Sequence, residues 1–168
     1  LFATGPGRPE TYNAFRVRIE NGAGEAVTLQ AGNILLLTDR GEHTEAESTL
    51  QKTLPVWKSS EYRYFQGACH WMLGRVSLRA NRLDEALSRF AEAKKMLAEV
   101  GAEAEVQDVD ARVAECRMLK GDADGALALA DEVLGRTESA DAIERLKPQL
   151  NRVRGYAMLM QADPFGAR

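Results

Sequence analysis

The sequence predicts an all-α fold, a stack of antiparallel helix hairpins. A turn followed by an alanine inside an apolar stripe recurs every 40 or 41 residues, at Ala46, Ala86, Ala126 and Ala167. Aromatic residues make up only 7% of the chain, while alanine, leucine and glutamate are abundant, which favours helix over sheet. Since one hairpin cannot bury its apolar face alone, a regular repeat predicts neighbours that stack and share a core.

The second copy of the repeat shows the helical pattern most clearly. Its apolar residues recur at steps of three and four, which places on one helix face Leu83, Ala86, Leu87, Phe90, Ala93 and Leu97. Asp84 and Glu85 near the start, and Lys94 and Lys95 near the end, suit the helix dipole. Gly101 then follows as a stop.

The same pattern predicts seven helices, at about 24–39, 42–56, 60–80, 83–99, 103–119, 123–135 and 139–161. Ser60 and Ser139 are the expected N-caps, and an eighth helix would begin near Pro164. The repeats would then span 24–57, 60–100, 102–136 and a truncated 139–168. Because a hairpin cut inside its second helix leaves an apolar face uncovered, we expect a fragment of a longer protein.

Residues 1–23 allow two interpretations. Val17 and Ile19 alternate with arginines before Asn21-Gly22, which is typical of a strand entering a hairpin. Alternatively, the segment is the second helix of a preceding repeat, begun near Pro9. Solenoid neighbours offer a helix a packing surface and offer a lone strand none, so the helix is favoured.

Four features of the second copy resemble the tetratricopeptide repeat: Leu73-Gly74, Ala86, Phe90 and Ala93, counted from Gly67. The resemblance implies a right-handed superhelix in which small residues let two helices approach and an aromatic ring fills the gap. The third copy carries Ala114, Ala126 and Ala130 at the corresponding positions and lacks the aromatic. In the first copy Ile34 replaces the small residue, and the fourth has Gly155 and Ala167.

The repeats are longer than the family's usual ~34 residues. Long repeats of this kind resemble those in the C-terminal regions of bacterial nucleotide cyclases that carry an ATPase module, and of regulators similar to the maltose-operon activator. The resemblance implies a non-catalytic protein–protein interaction or regulatory scaffold in a bacterial signalling protein, working in the cytoplasm. It is a family-level analogy, which fold alone does not turn into function.

In this family the first helix of each hairpin lines the concave surface. Carried over by position, the lining residues are Ala68, Trp71, Arg75, Leu78 and Arg79, then Asp108, Ala111, Glu115, Met118 and Leu119, then Gln149, Arg152, Tyr156, Leu159 and Met160. The candidate partner-binding residues among them are Trp71, Arg75, Leu78, Arg79, Glu115, Met118, Arg152 and Tyr156, a composition expected of a protein interface. In the competing interpretation, the long repeats rotate these residues into contacts between repeats.

Sites for other chemistry are not indicated. The Lys and Asn clamp that holds a chaperone's C-terminal carboxylate is missing, and so are phosphate-binding loops and nucleophile motifs. His43 and His70 are isolated, and Cys69 and Cys116 are read as reduced packing residues, so no metal, cofactor or catalytic site is predicted. A net charge of −3 gives no case for nucleic acid, and no apolar run approaches the ~20 residues of a membrane span.

Three kinds of partner therefore stay open. The leading hypothesis is a protein or peptide bound in the groove. The second is a homodimer formed through exposed repeat ends. The third is a small molecule enclosed by the superhelix against Trp71, Tyr156 and the arginines. An enzyme is the least favoured class.

Overall fold

The computed structural model describes residues 16–20, 26–30, 41–58, 63–136 and 140–162. Two strands precede six helices: β1 (Arg16–Glu20), β2 (Ala26–Gln30), α1 (His43–Lys58), α2 (Arg63–Arg79), α3 (Leu83–Glu99), α4 (Glu103–Leu119), α5 (Ala123–Gly135) and α6 (Ala140–Ala162). The predicted stack of antiparallel helix hairpins is confirmed from α1 onwards. Helices α2 and α3 form one complete hairpin and α4 and α5 the next, while α1 and α6 flank them.

The N-terminal strands correct two predictions. The favoured helix for residues 1–23 is wrong at Arg16–Glu20, and the helix predicted at 24–39 is wrong at Ala26–Gln30, because these segments pair as antiparallel strands. Arg16 lies opposite Gln30, and Glu20 opposite Ala26. The argument against a strand assumed that it would stand alone, but the next segment supplies its backbone hydrogen bonds. Residues 31–40 and the rest of 1–23 lie outside the described residues.

The helix boundaries follow the sequence closely. The bounds of α3, α4 and α5 are those predicted, and those of α1, α2 and α6 differ by one to three residues. Two residues before the start of each of α1, α3 and α5, one residue adopts the left-handed region: Gly41 (φ 81°), Asn81 (φ 58°) and Gly121 (φ 88°). These positions are 40 residues apart, so the sequence period is also a backbone period. The predicted caps at Ser60 and Ser139 and the helix at Pro164 lie outside the described residues.

The same period appears in the core. Ala46, Ala86 and Ala126 are fully buried, and so are the residues four positions after each, Leu50, Phe90 and Ala130. Seven positions after the alanines, Thr53, Ala93 and Val133 are buried too. The apolar clusters run along the stack, each formed by helices that are neighbours in sequence. This is the packing expected of a repeat protein, where each unit contacts its neighbours.

Helices α2 and α3 approach most closely at two glycines. A Cβ at Gly74 would lie 2.6 Å from the Phe90 ring, and one at Gly67 would lie 2.8 Å from Cγ of Leu97. Both distances are shorter than real Cβ contacts allow, so the ring and the leucine occupy space that a side chain on α2 would need. The predicted pairing of Gly74 with the aromatic residue of α3 is confirmed.

Candidate functional site

The first helices of the hairpins, α2, α4 and α6, lie next to one another and form a common face, called here the first-helix face. Between α2 and α4 the Tyr64 hydroxyl donates to Glu105 at 2.9 Å. Between α4 and α6 the Gln149 amide donates to Glu115 at 3.0 Å and to the Ala111 carbonyl at 3.4 Å. The candidate residues predicted from the sequence are distributed over these helices.

At the α2 end the first-helix face is aromatic and cationic. Trp71 is half-buried between two core clusters, and the Arg75 guanidinium lies 5.1 Å from the centre of its ring, a cation–π distance. Arg79 is exposed one turn further on. Helix α2 contains three arginines and no carboxylate, and Arg63 pairs with Glu99 of α3 at 3.3 Å. A flat ring with a stacked guanidinium is a rigid surface that loses little entropy when a partner binds.

At the centre of the face the charges are neutralised internally. The Glu115 side chain is almost buried and lies within 2.8 Å of Arg152 and 3.3 Å of Arg112. Arg112 also pairs with Asp108 at 3.3 Å. The Arg152–Glu115 pair holds α6 beside α4, while the pairs of Arg112 lie within α4 and help to bind the buried carboxylate. Glu115 therefore stabilises the contact between α4 and α6 and exposes little surface to a binding partner.

The α6 end of the face is aromatic and open. The Tyr156 side chain is 55% exposed, and that of Arg152 is 52% exposed although one of its nitrogens binds Glu115. Large apolar side chains in the same part of α6 are also exposed: Met158, Leu159 and Met160. This end can present an aromatic ring with a polar hydroxyl, the type of residue enriched at protein interfaces.

The structure reduces the set of candidate residues. Leu78 is a correction: at 7% exposure it belongs to the core beneath α3, because the hairpin partner covers it. Met118 is half-buried against the core that α4, α5 and α6 share, so only part of its side chain is accessible to a partner. Arg112 was missed, although its spacing of four from Asp108 and three from Glu115 is a helical ion-pair signal. The residues that keep accessible surface are Trp71, Arg75, Arg79, Arg152 and Tyr156.

The described residues offer little reactive chemistry. Burial raises the pKa of Cys69 to about 12, and burial together with the charge of Glu115 raises the pKa of Cys116 to about 12. Both thiols therefore stay protonated near neutral pH and are poor nucleophiles. Within the described ranges no three His, Cys, Asp or Glu side chains converge to hold a metal, and no described helix is long and apolar enough to cross a membrane.

A cleft of about 430 Å³ lies away from the first-helix face, between α3 and α5 over the side of α4. Its walls include Phe90, Val113 and Leu129, with Lys94 and Asp110 at one end. The residues predicted to enclose a small molecule, Trp71 and Tyr156, do not line this cleft. The small-molecule hypothesis therefore gains no support from it.

Comparisons with known proteins agree with this geometry. Residues 25–99 match the family model of the tetratricopeptide repeat. Among solved structures, the chain is similar to the nearly identical TPR-like repeats of a kinesin light chain from Podosopora anserina, with a TM-score of 0.55, 13% identity, and coverage of 81% of this chain and 75% of that one. At that identity the likeness shows the fold alone. No curated protein sequence matches the chain significantly. The family match over residues 25–99 and the Gly74–Phe90 packing both support a tetratricopeptide-type repeat in this chain.

Proposed function

We propose that this chain is a non-catalytic scaffold that binds a segment of a partner protein along the first-helix face. Tetratricopeptide repeats generally mediate protein–protein interactions. The observation that carries the proposal is the Trp71–Arg75 stack, a preorganised aromatic and cationic surface beside the exposed Arg79. Trp, Tyr and Arg are the residue types that most often dominate binding energy at interfaces.

The distribution of charge along the face favours a partner of particular polarity. On α4, Asp108 and Glu115 are already bound by Arg112 and Arg152, and Glu105 accepts the hydrogen bond of Tyr64. Arg79 is exposed at the α2 end of the face, so carboxylates of a partner should lie beside it. Tyr156 at the other end suits an apolar or aromatic residue. The partner would thus be an extended segment with acidic residues at the α2 end.

The cellular setting is the less direct part of the proposal. The 40-residue repeats resemble those of bacterial signalling and transcriptional regulators, so we place the chain in the regulatory part of such a protein, in the cytoplasm. A net charge of −3 supports a protein partner over nucleic acid.

The test is a selection of peptides from a random displayed library on the purified chain, followed by titration of the enriched peptides. The double variant Arg75→Ala/Arg79→Ala should weaken these peptides at least tenfold, because it removes two cationic contacts from an interface. Circular dichroism should stay unchanged, since Arg79 is exposed and Arg75 is only half-buried, so the double variant removes no fully buried side chain.

The matched control is Arg89→Ala/Lys95→Ala, which removes the same charge from α3 on the opposite side of the hairpin. This control should leave peptide affinity as in the parent chain. Enriched peptides that bind the Arg75/Arg79 variant as tightly as the parent chain would contradict the proposal.

A further inference from the structure

The cleft on the side of α4 is bounded by three helices, and every residue that lines it belongs to α3, α4 or α5. Its volume of about 430 Å³ lies in the range of small-molecule sites. Contacts between the helices define its two ends. Lys94 of α3 binds Asp110 of α4 at one end, and at the other the Arg117 side chain of α4 donates to the Gly125 carbonyl of α5 at 3.2 Å.

Apart from its charged groups, the cleft is apolar. All three helices contribute apolar side chains to it: Leu87, Phe90, Ala91, Val113, Ala128 and Leu129. Asp110 and Arg117 are seven residues apart on one helix, so the floor between the two ends is about 10 Å long. A cleft with this length and lining is complementary to an apolar body of about the size of naphthalene.

The charges of the cleft are paired at one end only. Asp110 binds Lys94 at 2.7 Å and Arg136 at 2.8 Å, and Glu132 binds the same arginine at 2.7 Å. Both carboxylates that line the cleft are therefore already bound by cations. At the other end, no carboxylate of the described residues lies within ion-pair distance of the Arg117 guanidinium, whose hydrogen bond to α5 holds it in place.

We propose that this cleft binds a small monocarboxylic acid, with its carboxylate on Arg117 and its apolar body over Val113, between α3 and α5. A guanidinium presents a fork of N–H donors that matches the two oxygens of a carboxylate. A cationic ligand fits less well, because its charge would meet Arg117 and carboxylates that are already neutralised. Charge complementarity therefore selects an anion, and the apolar lining selects its body.

This site is separate from the two considered on the first-helix face. Trp71 and Tyr156, the residues predicted to enclose a small molecule, do not line the cleft, and neither do Arg75 and Arg79. Failure of the peptide experiment would leave this proposal standing, and failure of this proposal would leave the peptide site standing.

The test titrates 2-naphthoate into the ¹⁵N-labelled chain and follows amide shifts, with neutral 2-naphthamide as the comparison ligand. Naphthoate should shift the signals around Val113 and bind about tenfold more tightly than the amide, because it forms charge-assisted hydrogen bonds. Arg117→Gln should abolish this preference, since glutamine can still donate to a carbonyl but carries no charge. Ala91→Leu should weaken both ligands about tenfold, because an exposed alanine of the cleft wall becomes a side chain that occupies the ligand's space.

The matched control for Ala91→Leu is Ala98→Leu, since Ala98 is also exposed on α3, two helical turns later, and does not line the cleft. Arg145→Gln, at an exposed position of α6, controls for the loss of one positive charge. Both controls should bind the two ligands as the parent chain does.

Three results would overturn the proposal. The first is that 2-naphthoate shows no saturable binding. The second is that Ala91→Leu binds it as tightly as Ala98→Leu does, because the ligand then lies elsewhere. The third is that the parent chain binds 2-naphthoate and 2-naphthamide equally, because the cleft then does not select a carboxylate.

Discussion

The second hairpin (α2 and α3) and the third (α4 and α5) have the same backbone arrangement, but different side chains fill the space between their two helices. Their turn residues, buried alanines and helix starts are 40 residues apart. In the second hairpin the Phe90 ring packs against Gly74, whereas the third has Ala130 against Ala114. Helix α3 has 17 residues and α5 has 13. The hairpin therefore depends on the turn and the small residues, while the aromatic residue is one of two ways to fill the space between the helices.

The junctions between hairpins differ as well. Position by position, Leu54 and His70 at the α1–α2 junction correspond to Lys94 and Asp110 at the α3–α4 junction. Both residues of the first pair are buried. Asp110 is 2% exposed and binds Lys94 at 2.7 Å and Arg136 at 2.8 Å, so three helical segments meet at one carboxylate. The comparison of the two junctions shows that the repeat sets the positions at which the helices contact each other. It does not set whether those contacts are ionic or uncharged.

The largest expected effect comes from removing the aromatic residue of the second hairpin. Phe90→Ala should lower the free energy of unfolding by about 3–5 kcal/mol, because a fully buried ring is replaced by a cavity that Gly74 does not fill. Chemical denaturation with circular dichroism measures this loss. A loss below about 1 kcal/mol would show that the two hairpins are packed alike.

The double variant Gly74→Ala/Phe90→Ala is the companion experiment, since it copies the Ala114 and Ala130 pair of the third hairpin. Gly74→Ala alone should destabilise by about 1–3 kcal/mol through the clash with Phe90. In the Phe90→Ala background the same change should instead stabilise by up to about 1 kcal/mol, because alanine is the better helix former. Additive effects would refute the coupling.

The charged junction gives the next effect. Asp110→Ala should lower the free energy of unfolding by about 3 kcal/mol, because it leaves Lys94 and the half-buried Arg136 without their shared carboxylate. The triple variant Lys94→Leu/Asp110→Leu/Arg136→Met, which makes the junction apolar, should return to within about 1 kcal/mol of the parent chain. Urea titrations compare the two, and a triple variant no more stable than Asp110→Ala would show that the charges cannot be exchanged for apolar contacts.

The smallest effect concerns the turns. Asn81 adopts a left-handed conformation (φ 58°) where the other two turns have glycine. Asn81→Ala should destabilise by about 1 kcal/mol and Asn81→Gly by less than about 0.5 kcal/mol, because only glycine escapes the steric cost of positive φ. Thermal unfolding followed by circular dichroism resolves the difference. Equal melting temperatures for the two variants would mean that the turn relaxes to another conformation.

The successes and failures of the sequence predictions have physical causes. The bounds of α3, α4 and α5 followed from local signals: apolar spacing, turn residues and charged ends. The strands at Arg16–Glu20 and Ala26–Gln30 were missed because strand pairing joins two segments, and each was judged alone. The residues of the groove could be predicted from the sequence only in part. A family position places Leu78 and Glu115 on the correct helix, but burial by α3 and α6 decides that they offer little surface.

By itself the sequence determined the stack of helix hairpins and its 40-residue period, because these depend on residue types at fixed local spacing. The closeness of Gly74 to Phe90 followed from the resemblance that these residues carry. Tertiary structure alone decided two other features: the Trp71–Arg75 stack and the shared binding of Asp110 by Lys94 and Arg136. Each of these depends on the relative rotation and distance of whole helices. A repeat motif specifies that helices pack, and the side chains at every junction then set the angle at which they do so.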